Sequence, residues 1–378
     1  MKKLEVIYSI ATKIGGSGLG TVSCNAILAL YQADLLKKAV SYGNKCQVDK
    51  SKILSLPGNP FKPLFFLPQT YYRPLRKGFL DFITSKIISF KGCDVFHGWN
   101  NQSFKSIKSA KKIGAKTILE CGSTHRYFRE KVIQEEYKKY KIEITKPPEY
   151  TRQKSLEEIQ LADYIFLPSE FAKKTFIDAG VDASKIFIIQ RGVDTEKFKP
   201  AKQENKKFRV LFVGKVSLRK GIQYLLEAWK ELNLKNSELV IVGNIEESIK
   251  PLLSKFSELN NIIFKGFVKD PVKEYQQSTI FVFPSLEEGS AKVTYEAMAS
   301  GLPVITTESS GSVVRDGIDG FIIPFKDKES IKEKIVYFFE NPDAIKQMGE
   351  NAREYIKNYT WTYYRNNLID IYRRIFNL

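Results

Sequence analysis

FPSLEEGSAKVTYEAMASGLPVI, residues 283–305, decides how this chain is read. The apolar run Ile280 to Phe283 leading into it suits a buried strand, broken by Pro284, and Glu287-Glu288-Gly289 form a short acidic turn. Ser290 is expected to cap a helix, with Gly301 just past its end and Pro303 beyond, the usual start and stop signals. Glu288 lies in the turn and Glu296 about two helical turns further on, so the two carboxylates share one wall. Between them the amides of Ser290, Ala291 and Lys292 lack intrahelical acceptors and face outward as an anion site. A sugar nucleotide needs such a set: a diphosphate anchor and two acceptors for hydroxyl groups. A strand–loop–helix unit with merely solvated glutamates fits the spacing as well.

The stretch resembles the Glu-x7-Glu signature of the retaining glycosyltransferases of family four, including the trailing EAMASGLPVI. The resemblance implies that Glu288 contacts a donor sugar and Glu296 the ribose hydroxyls, with Gly289 and Val293 bracketing the amides of Ser290, Ala291 and Lys292 around the diphosphate. In FRVLFVGKVSLRKG (208–221), Lys215 and Lys220 fall where the family carries an Arg-or-Lys and a Lys that grip the diphosphate. Lys215 replaces the commoner arginine, so a bidentate fork becomes a point charge; Arg219 is an extra cation. By the same match Val268, in GFVKD (266–270), lies against the nucleobase, and Gly16 and Ser17 of GGSGLGT (15–21) face the diphosphate across the cleft. His125, in CGSTHR, matches a histidine near the donor sugar and its phosphate, although His125-Arg126 stands where the family usually has His-Asp.

Read without that resemblance, Leu4 to Ile10, the glycine loop and a helical stretch to about Lys38 open a Rossmann-like unit. The glycines do not make GxGxxG, and no acid closes the next strand candidate, Lys52 to Leu56, so a dinucleotide fits poorly. His97, ending DVFH, and His125 both follow strand-like runs, where parallel sheets place ligands. Residues 60–80, PFKPLFFLPQTYYRPLRKGFL, suit either a patch resting on lipid headgroups or a loop covering the core. Lys105 to Lys116 reads as an exposed helix face followed by a strand, and residues 130–155 as charged surface helices or loops. Ser169 is expected to cap the helix in LADYIFLPSEFAKKTF (161–176), and AKQENKK (201–207) makes a linker. Strand-like runs recur at Leu239 to Val242, Ile262 to Phe264, Ile280 to Phe283, Val304 to Thr306 and Phe321 to Ile323, alternating with helices.

The chain has 378 residues, enough for two cores, and a hydrophobic share of 43%, ordinary for a globular protein. Cys24, Cys46, Cys93 and Cys121 lie far apart, which argues for a reducing compartment and against disulfides or zinc. The N-terminus lacks a signal-peptide pattern, and no apolar run approaches the ~20 residues of a membrane span. Charge is uneven: residues 1–200 hold 34 Lys/Arg against 19 Asp/Glu, net +15, and the remainder only +3. One face therefore suits something anionic, whether a lipid surface, a phosphorylated acceptor or nucleic acid, or else carries general solubility charge.

These readings converge on two Rossmann-like, doubly wound α/β domains facing across a cleft, the GT-B architecture. Residues 1–200, joined by a C-terminal helix at about 361–378, would bind the acceptor, and residues 201–360 the donor. The implied chemistry is metal-independent sugar transfer from a nucleotide-sugar, UDP- or GDP-linked, with no further cofactor and with retention at the anomeric carbon. The acceptor would be anionic, saccharide or lipid-linked, in surface polysaccharide or glycolipid synthesis. The protein would be cytoplasmic, with peripheral contact to the inner membrane face as a further expectation. Rival readings are a phosphorylase or nucleotide-sugar hydrolase on the same fold, a silent sugar-binding scaffold, and a nucleic-acid-binding protein. The last is disfavoured by scattered basic residues and the lack of zinc-finger spacing.

Overall fold

The computed structural model of the chain describes residues 3–56, 66, 69–144, 148–201, 207–256 and 258–378. Most of the aromatic run at 60–68, part of Lys146-Pro147-Pro148 and the linker core at 202–206 lie outside them.

A first, wholly parallel sheet is built from β1 (Val6–Ile10), β2 (Leu36–Ser41), β3 (Ile53–Ser55), β4 (Val95–Trp99), β5 (Lys116–Glu120), β6 (Tyr164–Leu167) and β7 (Ile186–Ile188). Their spatial order is β3-β2-β1-β4-β5-β6-β7. The connecting helices are α1 (Leu19–Gln32), α2 (Gln69–Lys91), α3 (Phe104–Lys112), α4 (Arg126–Lys139), α5 (Glu149–Leu161) and α6 (Glu170–Ile177). The first helix stops at Gln32, not near Lys38, and LKKAVS forms β2. Asp34 turns there with φ 57°, and the lysine pair that reads as helical lies half-buried in the strand.

The second sheet is also parallel: β8 (Phe208–Val213), β9 (Ser237–Val242), β10 (Ile262–Gly266), β11 (Ile280–Phe283), β12 (Val304–Thr307) and β13 (Gly320–Ile323), in the order β10-β9-β8-β11-β12-β13. It is wrapped by α7 (Ile222–Leu232), α8 (Lys250–Leu253), α9 (Val272–Gln276), α10 (Lys292–Ala299), α11 (Lys328–Glu340) and α12 (Pro342–Ile356). Both sheets reverse winding direction beside a central strand, at β1/β4 and at β8/β11. The loops leaving those strands splay apart there and open a crevice.

The last helix, α13 (Trp361–Phe376), returns to the first sheet as expected. The chain crosses where the Val193 amide donates to the Tyr359 carbonyl at 2.9 Å, and Thr360 caps the helix. Tyr364, Leu368, Ile371 and Tyr372 are then buried in the first core. Tyr372 Oη meets His97 Nδ1 at 2.8 Å, and His97 Nε2 faces the buried Glu120 at 3.6 Å. His97 is thus a core residue tying β4 to the C-terminal helix.

Two expectations are corrected. Cys24, on α1, and Cys46, beyond β2, form a disulfide; the return of β2 alongside β1 brings together cysteines 22 residues apart in sequence. Residues 126–139 are more than a charged surface helix. Val132 and Tyr137 of α4 are buried in the second core, and Glu136 accepts from Gln223 Nε2 at 3.0 Å and from Tyr224 Oη at 3.0 and 3.1 Å. Among the described residues no helix is long and apolar enough to cross a membrane.

Candidate functional site

The β8/β11 switch point sets the loop 214–221 against the turn 284–291. Gly221 makes this possible: its φ is +69°, and a Cβ there would lie 1.9 Å from the Pro284 carbonyl oxygen. The turn is laced to that loop and to the β12 end. The Leu286 amide donates to the Arg219 carbonyl at 3.0 Å, and the Glu288 amide to Ser309 O at 2.8 Å.

Three carboxylates leave this turn and helix in different directions. Glu288 contacts Lys220 Nζ and receives Arg219 Nη2 at 3.0 Å, so one acid gathers two cations. Glu287 is fully buried and points at the first domain. Its Oε1 accepts from Ser123 Oγ and Thr124 Oγ1, both at 2.6 Å, and from the Thr124 amide at 3.2 Å. Burial pushes the Glu287 carboxyl up, but the Arg219 charge and the two hydroxyls outweigh it and hold the group below its ordinary range. Glu296, inside α10 and buried, accepts from Tyr275 Oη at 3.0 Å and pairs with Lys292 Nζ at 2.7 Å.

The lysines of the loop differ. Lys220 is buried, and burial together with the neighbouring Arg219 charge pushes its ammonium well below the lysine range. Such a cation gains from an incoming anion. Lys215 is exposed and pairs with Glu246 at 2.5 Å. Its charge reaches Lys220, but no direct contact joins it to Glu288.

The mouth of α10 differs by a residue from the sequence reading. Ala291 is the N-cap, and Ser290 Oγ instead donates to Tyr295 Oη at 3.0 Å. The Ala291 amide is already spent on the Ser310 carbonyl at 2.9 Å. The amides of Lys292 and Val293 therefore open the helix without intrahelical acceptors. Gly289 is wedged between domains: a Cβ would lie 2.4 Å from the Gly122 carbonyl oxygen, and Ser169 Oγ donates to the Gly289 carbonyl at 2.6 Å. Ser169 caps α6 as expected, accepting from the Ala172 amide at 3.1 Å.

Across the crevice stand the loop before α1 and the 121–125 turn. Gly16 O accepts from Thr21 Oγ1 at 2.7 Å and Ser17 O from the Gly20 amide at 3.2 Å, so this loop is folded on itself, and Leu19 just beyond it faces the cleft. His125 caps α4 through Nδ1, which accepts from the Tyr127 amide at 3.3 Å, while its ring meets Tyr127 and Phe176 edge-on. Burial lowers its pKa to about 4, so the ring is neutral. A cavity of about 270 Å³ lies between the walls, lined by Leu19, Trp99, Thr124, Arg129, Arg219 and Glu288 among others. Val268 is half-buried on the second core beside the exposed Phe267, away from this cavity at the far side of β8.

The structure thus joins Glu288 to Lys220 directly and sets Glu296, Gly289 and the α10 mouth on the same wall. Gly16, Ser17 and His125 belong to the opposite side, and Lys215 to the rim. Sequence reasoning passed over Glu287, which differs from Glu288 only in facing the other domain, and left Arg219 without a role. The Glu287-Glu288 doublet was the available signal, since neighbours in a tight turn point apart. Among the described residues no three His, Cys, Asp or Glu side chains cluster to hold a metal ion.

Residues 193–355 match the family model of glycosyl transferases group 1. The capsular polysaccharide biosynthesis glycosyltransferase CapM of Staphylococcus aureus is 33% identical over 161 residues, 41% of this chain and 42% of CapM. An uncharacterised glycosyltransferase of Methanocaldococcus jannaschii is 28% identical over 234 residues, 57% of this chain and 59% of its own length. The chain thus spans about half the length of these curated relatives. In fold it is similar over 99% of its length to all of a sucrose-phosphate synthase from Thermosynechococcus elongatus, with a TM-score of 0.76 at 16% identity. It is likewise similar over 98% of its length to all of Anabaena HepE, solved with UDP-glucose, with a TM-score of 0.70 at 14% identity. These two solved structures share the GT-B architecture with this chain.

Proposed function

We propose that this chain, whose residues 193–355 match the family model of glycosyl transferases group 1, transfers a sugar from a nucleotide-sugar to an acceptor hydroxyl with retention and without a metal. The observation that carries this is the convergence of Lys220 and Arg219 on Glu288 beside the mouth of α10. Breaking the bond between the anomeric carbon and the diphosphate leaves growing negative charge on the departing oxygen. The Lys220 ammonium, depressed by burial, Arg219 and the first amides of α10 answer that charge, and Lys215 adds to the field from the rim. Glu288, released from its cations as phosphate displaces it, contacts the donor sugar. Glu296, oriented by Tyr275, accepts from the ribose hydroxyls. Gly16 and Ser17 approach the diphosphate from the other wall, and Val268 supports the nucleobase. Neutral His125 holds the 121–125 turn against the sugar. Retention follows from attack on the face the diphosphate leaves, the departing phosphate taking the acceptor's proton.

The donor is a UDP- or GDP-sugar in this reading, with no other cofactor, and the product belongs to surface polysaccharide or glycolipid synthesis. That fits the basic first half and a peripheral place at an anionic inner membrane surface. The domain division remains residues 1–200 plus the last helix for acceptor and 201–360 for donor. A thermal-shift panel of UDP-, GDP- and ADP-sugars tests the reading. A donor at a hundredfold excess over its Kd stabilises by about 2.7 kcal/mol, and no shift with any of the three contradicts it. Activity abolished by chelator and restored by manganese contradicts metal-independence.

A further inference from the structure

A second cavity, of about 770 Å³, opens off the first on the outer side of the N-terminal domain. The two share Lys77, Asn101, Arg126 and Arg129, so anything seated in one reaches the other. Further lining comes from Lys105, Lys154 and the ring of Phe82. Several of these cations are already engaged. Arg126 pairs with Glu130 at 2.6 Å, Lys154 with Asp81 at 3.2 Å, and Lys105 lies over the Phe82 ring at 5.2 Å. Lys77 and Arg129, at the junction, form no ion pair with a described carboxylate, and Glu158 beneath them spends both oxygens on the Asn101 and Ser103 amides. Both are half-buried, and burial, joined by neighbouring cations, outweighs the charge of Glu158 near Lys77 and of Glu287 near Arg129 and holds both below their ordinary ranges. Two cations drawn from water beside further positive charge, neither in ion-pair contact with an acid, leave room for an anion. Outward from the junction, Tyr71, Leu75 and Phe82 are exposed along α2 at spacings of four and seven, one face of that helix.

We infer that the junction between the two cavities, through Lys77 and Arg129, binds the phosphate or diphosphate group of the acceptor, holding its hydroxyl toward the cleft at Glu288. This rests on the donor reading for the position of the transferred sugar, but the anion site stands on its own residues. The phosphate can come from a prenyl-linked acceptor, whose chain would run along Tyr71, Leu75 and Phe82, or from a soluble phosphorylated sugar.

The experiment is calorimetric titration of the UDP-saturated protein with farnesyl diphosphate, inorganic pyrophosphate and farnesol. Saturation with UDP keeps the donor site from taking the probe. The expected result is binding of both diphosphates and not of farnesol, weakened at least about tenfold (about 1.4 kcal/mol) in Lys77→Gln and in Arg129→Gln, with the UDP thermal shift intact. Farnesyl diphosphate binding more tightly than pyrophosphate, with the difference removed by Leu75→Ser and Phe82→Ser together, assigns a lipid-linked acceptor. Equal affinities assign a soluble one. Protection of Lys77 from acetylation by pyrophosphate in the unaltered, UDP-saturated chain gives the same answer without a substitution. Unchanged diphosphate affinity in both variants, or no protection of Lys77, overturns the site. A missing UDP shift in the unaltered chain counts against the donor reading and leaves the anion site to be judged by the diphosphate titration alone.

Discussion

The two walls of the cleft are charged in opposite styles. On the C-terminal wall nearly every ionised group has a counterpart: Glu288 with Lys220 and Arg219, Glu296 with Lys292 and Tyr275, Lys215 with Glu246. On the N-terminal wall cations outnumber acids, and Lys77 and Arg129 face the cavities without a carboxylate in ion-pair contact. The contrast follows the whole chain, net +15 in residues 1–200 and +3 thereafter. A wall that balances its own charges is preorganised for a ligand that replaces one internal pair by another, as a diphosphate would replace Glu288. A wall with surplus charge waits for an anion from outside. Glu287 joins them, a C-terminal acid satisfied by N-terminal hydroxyls.

The two walls depend on each other most at that joint. Glu287→Ala leaves Ser123, Thr124 and the nearby guanidiniums of Arg219 and Arg129 facing an emptied, buried position. Losing one partner of such a buried network costs about 3–5 kcal/mol, so the urea midpoint should fall far more than in Glu247→Ala, whose carboxylate is exposed. Equal midpoints in the two variants show that Glu287 does not tie the walls together.

Next come the cations of the balanced wall. Removing one well-placed donor to a developing negative charge costs ~3 kcal/mol, about a hundredfold in rate. Lys220→Ala should therefore slow nucleotide release from the donor about a hundredfold. Arg219→Ala should do less, because Arg219 also leans on Glu287 and is about a third exposed. Equal losses mean that Lys220 has no special place on the diphosphate.

On the opposite wall His125 makes stability depend on acid. Its folded pKa of about 4 lies below its ordinary 6.5, so the unfolded chain takes up the proton first. The advantage of the neutral ring is intact above pH 6.5 and is lost as pH falls toward 4, by about 3 kcal/mol. His125→Asn, which keeps a capping side chain, should lose less stability between pH 7 and 4.5 than the unaltered chain does. Parallel pH profiles of the urea midpoint contradict a buried, neutral imidazole. Glu158 works in reverse. Burial raises its carboxyl to about 7, so it favours the folded state below pH 4.5 and ceases to as pH rises through 7. Glu158→Gln should flatten that limb while lowering stability at every pH, since one of the Asn101 and Ser103 amides then faces an NH2 donor instead of an acceptor.

How much of this was legible in the sequence also divides between the halves. Every strand-like run named in the second half became a strand, because buried parallel strands read as short apolar runs between glycines and helices. The Glu288–Glu296 spacing placed both acids on one wall because it is local. In the first half β2 was hidden, since half-buried Lys37 and Lys38 imitate a helix end. Whatever depended on distant chain segments meeting was illegible: the Cys24–Cys46 bond, α4 reaching into the second core, and Lys77 beside Arg129. Ser290 was misplaced by one residue as N-cap because Tyr295 of α10 claims its hydroxyl, a contact that spacing alone does not announce.

In the proposed reading a nucleotide-sugar docks on the C-terminal wall with its ribose on Glu296. Calorimetric titration of the unaltered chain, Glu296→Ala and Lys77→Gln with the UDP- or GDP-sugar that shifts its melting tests it most directly. One site per chain is expected, with a Kd at least about tenfold weaker in Glu296→Ala (about 1.4 kcal/mol) and unchanged in Lys77→Gln. A donor that binds Glu296→Ala as tightly as the unaltered chain contradicts it.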